Sequence, residues 1–578
     1  MEFLDALGYG SWVIHFLLWF PLVGMALVLA SPTERAKHVA FGVALIEFVV
    51  SIPLWFLFST GAGEFQFGSA VPWIPEWGIY YRTGLDGISV LLVLLTTFLM
   101  PLAILGSYRY ITERQRTFYG MMLLLQVGIV GVFVALDLFL FFVFWELMLV
   151  PMYFIIGVWG GERRVYAAIK FFLFTAFGSL LMLVAILYLF FKYRTLTGGV
   201  SFAYFDLLQV PLTFREQFWL FSAFALAFAV KVPLFPFHTW LPDAHVEAPT
   251  PGSVVLAAVL LKMGTYGFLR FLLPFFPQAA TNEVIVLTIM VLGLLGITYA
   301  AWVAAVQPDA KKLVAYTSVA HMGFVVLGIF ALTLQGVQGA MIVMLSHGVS
   351  TGALFLLLGM LYERRHTRTI ADFGGLAAVM PVFATVFMIT ALASIGLPGT
   401  SGFVGEFLAL LGTFQTHPWV ALIASTGVIF AAYYMLPMVQ KIWFNAPDRP
   451  ENRNLPDLTG REVAVLLPLV VVMLWMGVYP KPFLERTEQS VVELLEYVER
   501  NRAPGAVRFG QLGDPPGMEA TAVAEAERGR DRDRERATEP SASPSEGDPR
   551  ARAEGERGSA AAVSDGVAAA DAEKTHGD

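Results

Sequence analysis

Fourteen stretches of this chain run for most of a bilayer's thickness with scarcely a charge among them, and that pattern limits the fold more than any other feature. They cover roughly 12–30, 38–58, 86–106, 117–135, 137–159, 166–191, 215–240, 248–273, 282–303, 312–332, 337–361, 374–415, 418–443 and 462–480. About 20 consecutive apolar residues let a helix cross the hydrocarbon core with every backbone polar group satisfied inside the segment. A membrane β-barrel would show alternating segments of about ten residues instead, and the sequence shows no such alternation. Charged residues make up only 14% of the chain, against about a quarter in soluble domains. The fold class is therefore an all-α polytopic membrane protein with about 14 transmembrane helices. The first span opens near Trp12 with no basic region before it and no small-residue cleavage site. It is read as a retained helix, not a signal peptide.

Two of the spans are interrupted. Span 7 contains "KVPLFPF", with Pro233 and Pro236, and the overlong stretch 374–415 contains "SIGLPGTSGF", with Pro398 and Gly399. Each reads as one discontinuous helix, because proline removes a backbone donor and clashes with the preceding turn. Paired interruptions in corresponding positions point to inverted repeats with a site at the midplane. Spans 4–8 and 9–13 are then two inverted five-helix repeats. The expected organisation is helices 1–3 in 1–115, a first repeat in 116–274, a second in 275–445, and a last helix with an amphipathic surface helix in 446–502. The surface helix is "LERTEQSVVELLEYVERNR", with Val491, Leu494, Leu495 and Val498 on one face. Residues 503–578 lose the apolar period and read as a disordered charged tail.

Basic residues fix the orientation. Arg35, Lys37, Arg109, Arg163, Arg164, Lys311, Lys312, Arg364, Arg365 and Lys441 all fall in odd-numbered loops, and the even-numbered loops hold few. The positive-inside rule places the odd loops in the cytoplasm and both termini outside.

There is no cysteine, so this chain can form no disulfide, iron–sulfur or thiolate metal site. It also lacks a glycine-rich nucleotide fingerprint. Any redox cofactor belongs to another subunit, and neither a metal nor a cofactor site is expected here.

The few ionisable groups inside the spans are informative. Glu146 sits in "FVFWELMLVPMYF", Lys231 at the first break, Lys262 in "VLAAVLLKMGTYGFLR", Glu406 after the second break, and His321 and His347 in two further spans. Unpaired and facing lipid, such a set would cost on the order of 10 kcal/mol, so they face the interior and some must pair. Opposite charges that approach and separate shift each other's proton affinity, which suits a relay of Glu146, Lys231, Lys262, His321 or His347, and Glu406. Structural alternatives stand beside each: a static ion pair for Glu146 and Lys231, a snorkelling chain for Lys262, hydrogen-bonded core histidines for His321 and His347. Lys170 reads as snorkelling. Asp137, Arg163 and Arg164 read as interfacial. His238, Asp243 and His245 read as polar groups at the cytoplasmic helix end, with no assigned role.

The segments "FWELMLVPMYFIIGVWGG", "KVPLFPFHTWLPDAHVEAPTPGSVVLAAVLLKMGTYG", "QPDAKKLVAYTSVAHMGF" and "GLPGTSGFVGEF" closely resemble the antiporter-like membrane subunits of respiratory complex I, over most of residues 80–480. Glu406 departs from the sister subunits L and N, which usually carry a lysine at this broken-helix site. The resemblance implies a proton-translocating subunit driven by quinone reduction elsewhere in an NADH–quinone oxidoreductase. FMN, iron–sulfur clusters and quinone then belong to partner subunits. The implied partners are L- and N-like subunits, small membrane subunits and the lipid bilayer, with no nucleic acid. It further implies that Glu146 and Lys231 form the charge pair of a first half-channel, Lys262 bridges, His321 and His347 relay, and Glu406 ends the second half-channel. Three alternatives remain open at this point: a subunit of a multisubunit sodium/proton antiporter, one of an energy-converting membrane hydrogenase, or a static scaffold with buried ion pairs.

Overall fold

The computed structural model describes residues 8–446 and 448–502. The charged tail expected at 503–578 lies outside the described residues. Among those described, eleven helices are long and apolar enough to cross a membrane. They are α1 (Tyr9–Ala30), α2 (Thr33–Leu57), α4 (Gln115–Val134), α5 (Leu138–Trp159), α6 (Arg164–Thr197), α9 (Thr250–Phe275), α10 (Glu283–Ala305), α11 (Ala310–Phe330), α12 (Leu334–Arg365), α15 (Pro418–Phe444) and α16 (Gly460–Val478). The other three expected spans are α3 (Val90–Gly106), one residue short of that length at 17, and the two broken ones. The first broken span comprises α7 (Phe214–Lys231) and α8 (Trp240–Glu247), the second α13 (Pro381–Ser394) and α14 (Ser401–Thr416). All fourteen segments expected from the sequence are thus helical.

Burial sorts them into inner and outer helices. The most apolar windows of α9 and α12 are 100% buried and that of α11 is 94% buried, against 39% for α1 and 33% for α2. The outer helices turn Val23, Phe56, Phe177, Val184 and Ile429 outward, as residues facing lipid do. Small residues bring the inner helices close. A Cβ on Gly323 of α11 would lie 2.6 Å from the Gly293 carbonyl of α10, and one on Gly405 of α14 would lie 2.6 Å from the Val343 nitrogen of α12.

One element does not follow from the apolar pattern. Between α2 and α3 an antiparallel hairpin pairs β1 (Gln66–Ile74) with β2 (Ile79–Leu85). Its strands are too short and too polar to be picked out among membrane spans. The expected surface helix is present as α17 (Lys481–Arg500), and it lies on the protein itself. Phe483, Val491 and Val498 are buried, Ser490 accepts from the Gly87 N–H at 2.9 Å, and the Arg486 guanidinium sits 3.6 Å from the Trp55 ring centroid. The same end carries a buried ion pair between Asp86 and Arg270, with Phe65, Tyr204 and Tyr266 around the guanidinium. Asp86 Oδ1 also accepts from the Ile88 and Ser89 N–H groups and so fixes the start of α3.

Candidate functional site

Glu146 and Lys231 sit where two helices deviate. Pro151 offers no N–H to the Leu147 carbonyl, and α5 is interrupted at Met148, half a turn beyond Glu146. The sequence reading did not single out this third proline defect. Helix α7 stops at Lys231 because Pro233 cannot donate to Ala229; the Leu234 N–H takes that carbonyl instead at 2.7 Å. The Trp240 indole donates to the Val230 carbonyl at 2.8 Å. Two of the carbonyls that the break releases are therefore satisfied by the protein.

Lys231 is 1% exposed, and among the described residues its ammonium has no carboxylate within ion-pair reach. Its neighbours are the Met148 sulfur at 3.5 Å and the faces of Trp145 and Phe171, 5.1 and 5.8 Å from the ring centroids. Weak sulfur and π contacts partly replace a counter-charge. Glu146 lies beside Ser179 of α6, and its Oε1 is buried without a hydrogen-bond partner. The two charges expected to pair are brought into one region and held apart.

The second group is arranged differently. Helix α9 carries π-helical turns at Leu256–Leu260 and Phe268–Leu272, one on each side of Lys262. Such turns leave backbone carbonyls without the usual partner. The Lys262 ammonium donates to the Ala257 carbonyl at 2.6 Å and lies 2.6 Å from His347 Nδ1. The His347 and His321 ring centroids are 5.7 Å apart. His321 Nδ1 meets Glu406 Oε1 at 2.8 Å, and Ser394 Oγ lies 3.5 Å from its Nε2. Glu406 enters from the second turn of α14, after a break in which Gly396 and Gly399 adopt φ of +78° and +88°. Those angles favour glycine and let the chain reverse beside Pro398. Lys262, His347, His321 and Glu406 thus form one polar thread through α9, α12, α11 and α14.

Between the two groups, α7 and α9 touch through backbone: a Cβ on Gly264 would lie 2.9 Å from the Phe228 carbonyl. No hydrogen bond joins Lys231 to Lys262 among the described residues.

At the end of the first broken span, Lys170 is an ion-pair member, not a snorkelling chain, with its ammonium 2.7 Å from Asp243; Arg163 reaches the same carboxylate at 3.2 Å. His245 is fully buried, stacks on Phe355 at 4.6 Å and has neither ring nitrogen hydrogen-bonded. His238 is also buried with its Nδ1 unpartnered. Among the described residues no group of three or more His, Cys, Asp or Glu is placed to hold a metal. A cavity of about 240 Å³ opens here, lined in part by Tyr110, Glu247, Lys311, Tyr362 and Arg368. Lys311 donates to the Ala248 carbonyl and Arg368 to the Val246 carbonyl, each at 2.6 Å. Asp137, expected at an interface, caps α5 by accepting from the Phe139 and Leu140 N–H groups at 3.0 Å.

Sequence reasoning passed over Met148, Ser179 and Ser394, which carry no charge to mark them. It also passed over Glu47 of α2, although the same rule that selected Glu146 applies to it.

Comparison with known proteins places this geometry in context. Residues 135–431 match the family described as NADH:quinone oxidoreductase/Mrp antiporter, TM, and residues 18–131 match NADH-ubiquinone oxidoreductase chain 4, amino terminus. The chain is 48% identical over 471 residues to NADH-quinone oxidoreductase subunit M of Rhodobacter capsulatus, covering 80% of this chain and 91% of that one. It is 42% identical to NADH-ubiquinone oxidoreductase chain 4 of Marchantia polymorpha, covering 83% and 96%. A chain of respiratory complex I from Thermus thermophilus superposes with a TM-score of 0.76 at 37% identity, covering 84% and 99%. A chain of the Mrp complex from Dietzia sp. shares the fold, with a TM-score of 0.71 at 21% identity, covering 89% and 55%.

Proposed function

This chain belongs to the family of NADH:quinone oxidoreductase and Mrp antiporter membrane subunits, and we propose that it carries protons through the polar thread as part of complex I. It is a proton-pumping membrane subunit of the enzyme, resembling subunit M and chain 4, and it works beside other membrane subunits of the complex. Iron–sulfur clusters are assigned to partner subunits, since this chain has no cysteine to ligate them, and FMN and quinone are placed there with them. We place it in a bacterial inner membrane with both termini periplasmic, on the strength of its basic loops.

The observation that carries the proposal is the thread itself. Buried ionisable groups are costly in a bilayer, yet Lys262, His347, His321 and Glu406 follow one another across four helices at hydrogen-bond or ring-contact distance. Lys262 is the bridging donor and acceptor, His347 and His321 pass the proton, and Glu406 is its terminal acceptor. Upstream, a signal from the neighbouring subunit moves Glu146 toward or away from Lys231. Close approach favours the ammonium, and separation in a low-dielectric setting favours proton release toward Lys262. The cavity lined by Val246, Glu247 and Lys311 supplies water access from the cytoplasm. Residues 116–274 and 275–445 serve as the two repeats, each owning one broken helix and one charge at the break, Lys231 or Glu406.

Glu406 and the 48% identity to a subunit M favour complex I over a sodium/proton antiporter or a membrane hydrogenase. The test is a Lys231→Ala complex reconstituted into proteoliposomes. Reduced quinone turnover with fewer protons moved per electron is expected. An unchanged proton-to-electron ratio overturns the scheme.

A further inference from the structure

Glu47 is the fifteenth residue of the 25 in α2, near the middle of that span, and it is fully buried. The relay does not use it. Beside its carboxyl lies the carboxamide of Gln126 in α4, also fully buried. None of the four polar atoms of these two side chains makes a hydrogen bond, either to each other or to another group among the described residues. One turn along the same face of α2, Ser51 and Thr97 of α3 satisfy each other at 2.7 Å. The cationic and titratable groups of the packed helices have partners of their own or are exposed, and the Tyr9 hydroxyl of α1 donates to the Val50 carbonyl of α2 at 2.7 Å. His15 of α1 meets the Tyr81 hydroxyl at 3.2 Å, Lys37 and His38 of α2 lie against the Tyr108 ring, and Arg116 of α4 is exposed at the helix start.

A buried carboxylate without a cation neutralises by taking a proton instead of remaining charged. Hydrogen-bond stoichiometry gives the same answer independently. A carboxylate only accepts, so it could use the Gln126 amide hydrogens but would confront the Gln126 oxygen with like partial charge. A carboxylic acid has one donor and one acceptor, the complement of the amide's facing edge. We propose that Glu47 and Gln126 form a resident proton-binding site separate from the relay, in which the Glu47 hydroxyl donates to Gln126 Oε1 and Gln126 Nε2–H donates to the Glu47 carbonyl. The site joins the accessory helices to the first repeat. Two residues beyond Gln126, Gly128 of α4 packs on Met148, where a Cβ would come within 2.9 Å of the Met148 Cβ. The helix that holds this proton on one face therefore supports the kink beside Glu146 and Lys231 on another.

The test is infrared spectroscopy of the purified intact complex in H2O and D2O, at neutral and alkaline pH. Subtracting the Glu47→Gln spectrum from the native one is expected to leave one carboxylic-acid carbonyl band at both pH values. The band should shift to higher frequency in Gln126→Leu, which removes its hydrogen-bond partner and keeps the acid. If Glu47→Gln fails to assemble, the Gln126→Leu shift alone decides. A native carboxylate band assigned to Glu47, no shift in Gln126→Leu, or a carboxyl band that moves on adding sodium overturns the assignment, the last in favour of a cation.

Discussion

The two halves of the candidate site use the same kinds of groups in opposite states. In the first half Glu146 and Lys231 share a region and stay unbonded, with the ammonium against a thioether and two rings. In the second half Lys262 and His347 are in contact, as are His321 and Glu406. An unbonded pair of charges is a device that can still close, whereas a bonded series is a path already assembled. On the proposed relay, the difference assigns control to the first half and conduction to the second. It also follows the helix defects: the first pair sits at proline breaks, which leave side chains room to move, and Lys262 sits between π-helical turns that hand it a carbonyl.

The largest expected effect breaks the control half. Lys231→Ala should lower coupled quinone reduction by at least about tenfold, given that a positioned proton-transfer group contributes about 10²–10⁴-fold; turnover and proton uptake measured on the same vesicles check it. Next comes the end of the thread. Glu406→Gln keeps the shape and the hydrogen bond to His321 but removes the acceptor, so pumping should fall severalfold while assembly stays normal. His321→Ala in the same assay should do equal or greater harm, because it leaves the Glu406 carboxyl buried without its partner. A smaller change sharpens the comparison. Met148→Leu removes the sulfur contact and leaves Lys231 dependent on Glu146, which should shift the pH profile of turnover with little change in the maximal rate. An unaltered profile would count against control by the first half. Arg270→Met should leave the proton-to-electron ratio intact. Breaking its buried pair with Asp86 should cost about 3–5 kcal/mol of stability, read as a lowered thermal transition of the complex.

Much of this was legible in the sequence because membrane burial makes apolar length and stray charge conspicuous. Glu146, Lys231, Lys262 and Glu406 stood out against spans with scarcely another charge, and Pro233, Pro236, Pro398 and Gly399 marked the breaks. What stayed hidden was pairing. Which histidine meets Glu406 depends on helix rotation and crossing, and nothing local in "TSVAHMGF" or "VMLSHGVSTG" encodes it. Lys170 lies about a turn inside its helix and looks like a snorkelling chain until Asp243, far along the sequence, folds beside it. The first π-helical turn of α9 was equally silent, since no proline or unusual residue announces it in "LAAVLLKMG". The hairpin of β1 and β2 escaped because its cross-strand register is not an apolar run.

Helix α9 is anchored near its end by Arg270, locked to Asp86 eight residues past Lys262. A rod pinned there cannot slide as a whole when neighbouring helices shift. Its compliance is concentrated in the two widened turns that flank Lys262, where a carbonyl can change partners at little cost. Strain reaching α9 from either half is therefore absorbed next to Lys262. A displacement too small to see at the helix ends becomes a change in how far that one ammonium reaches.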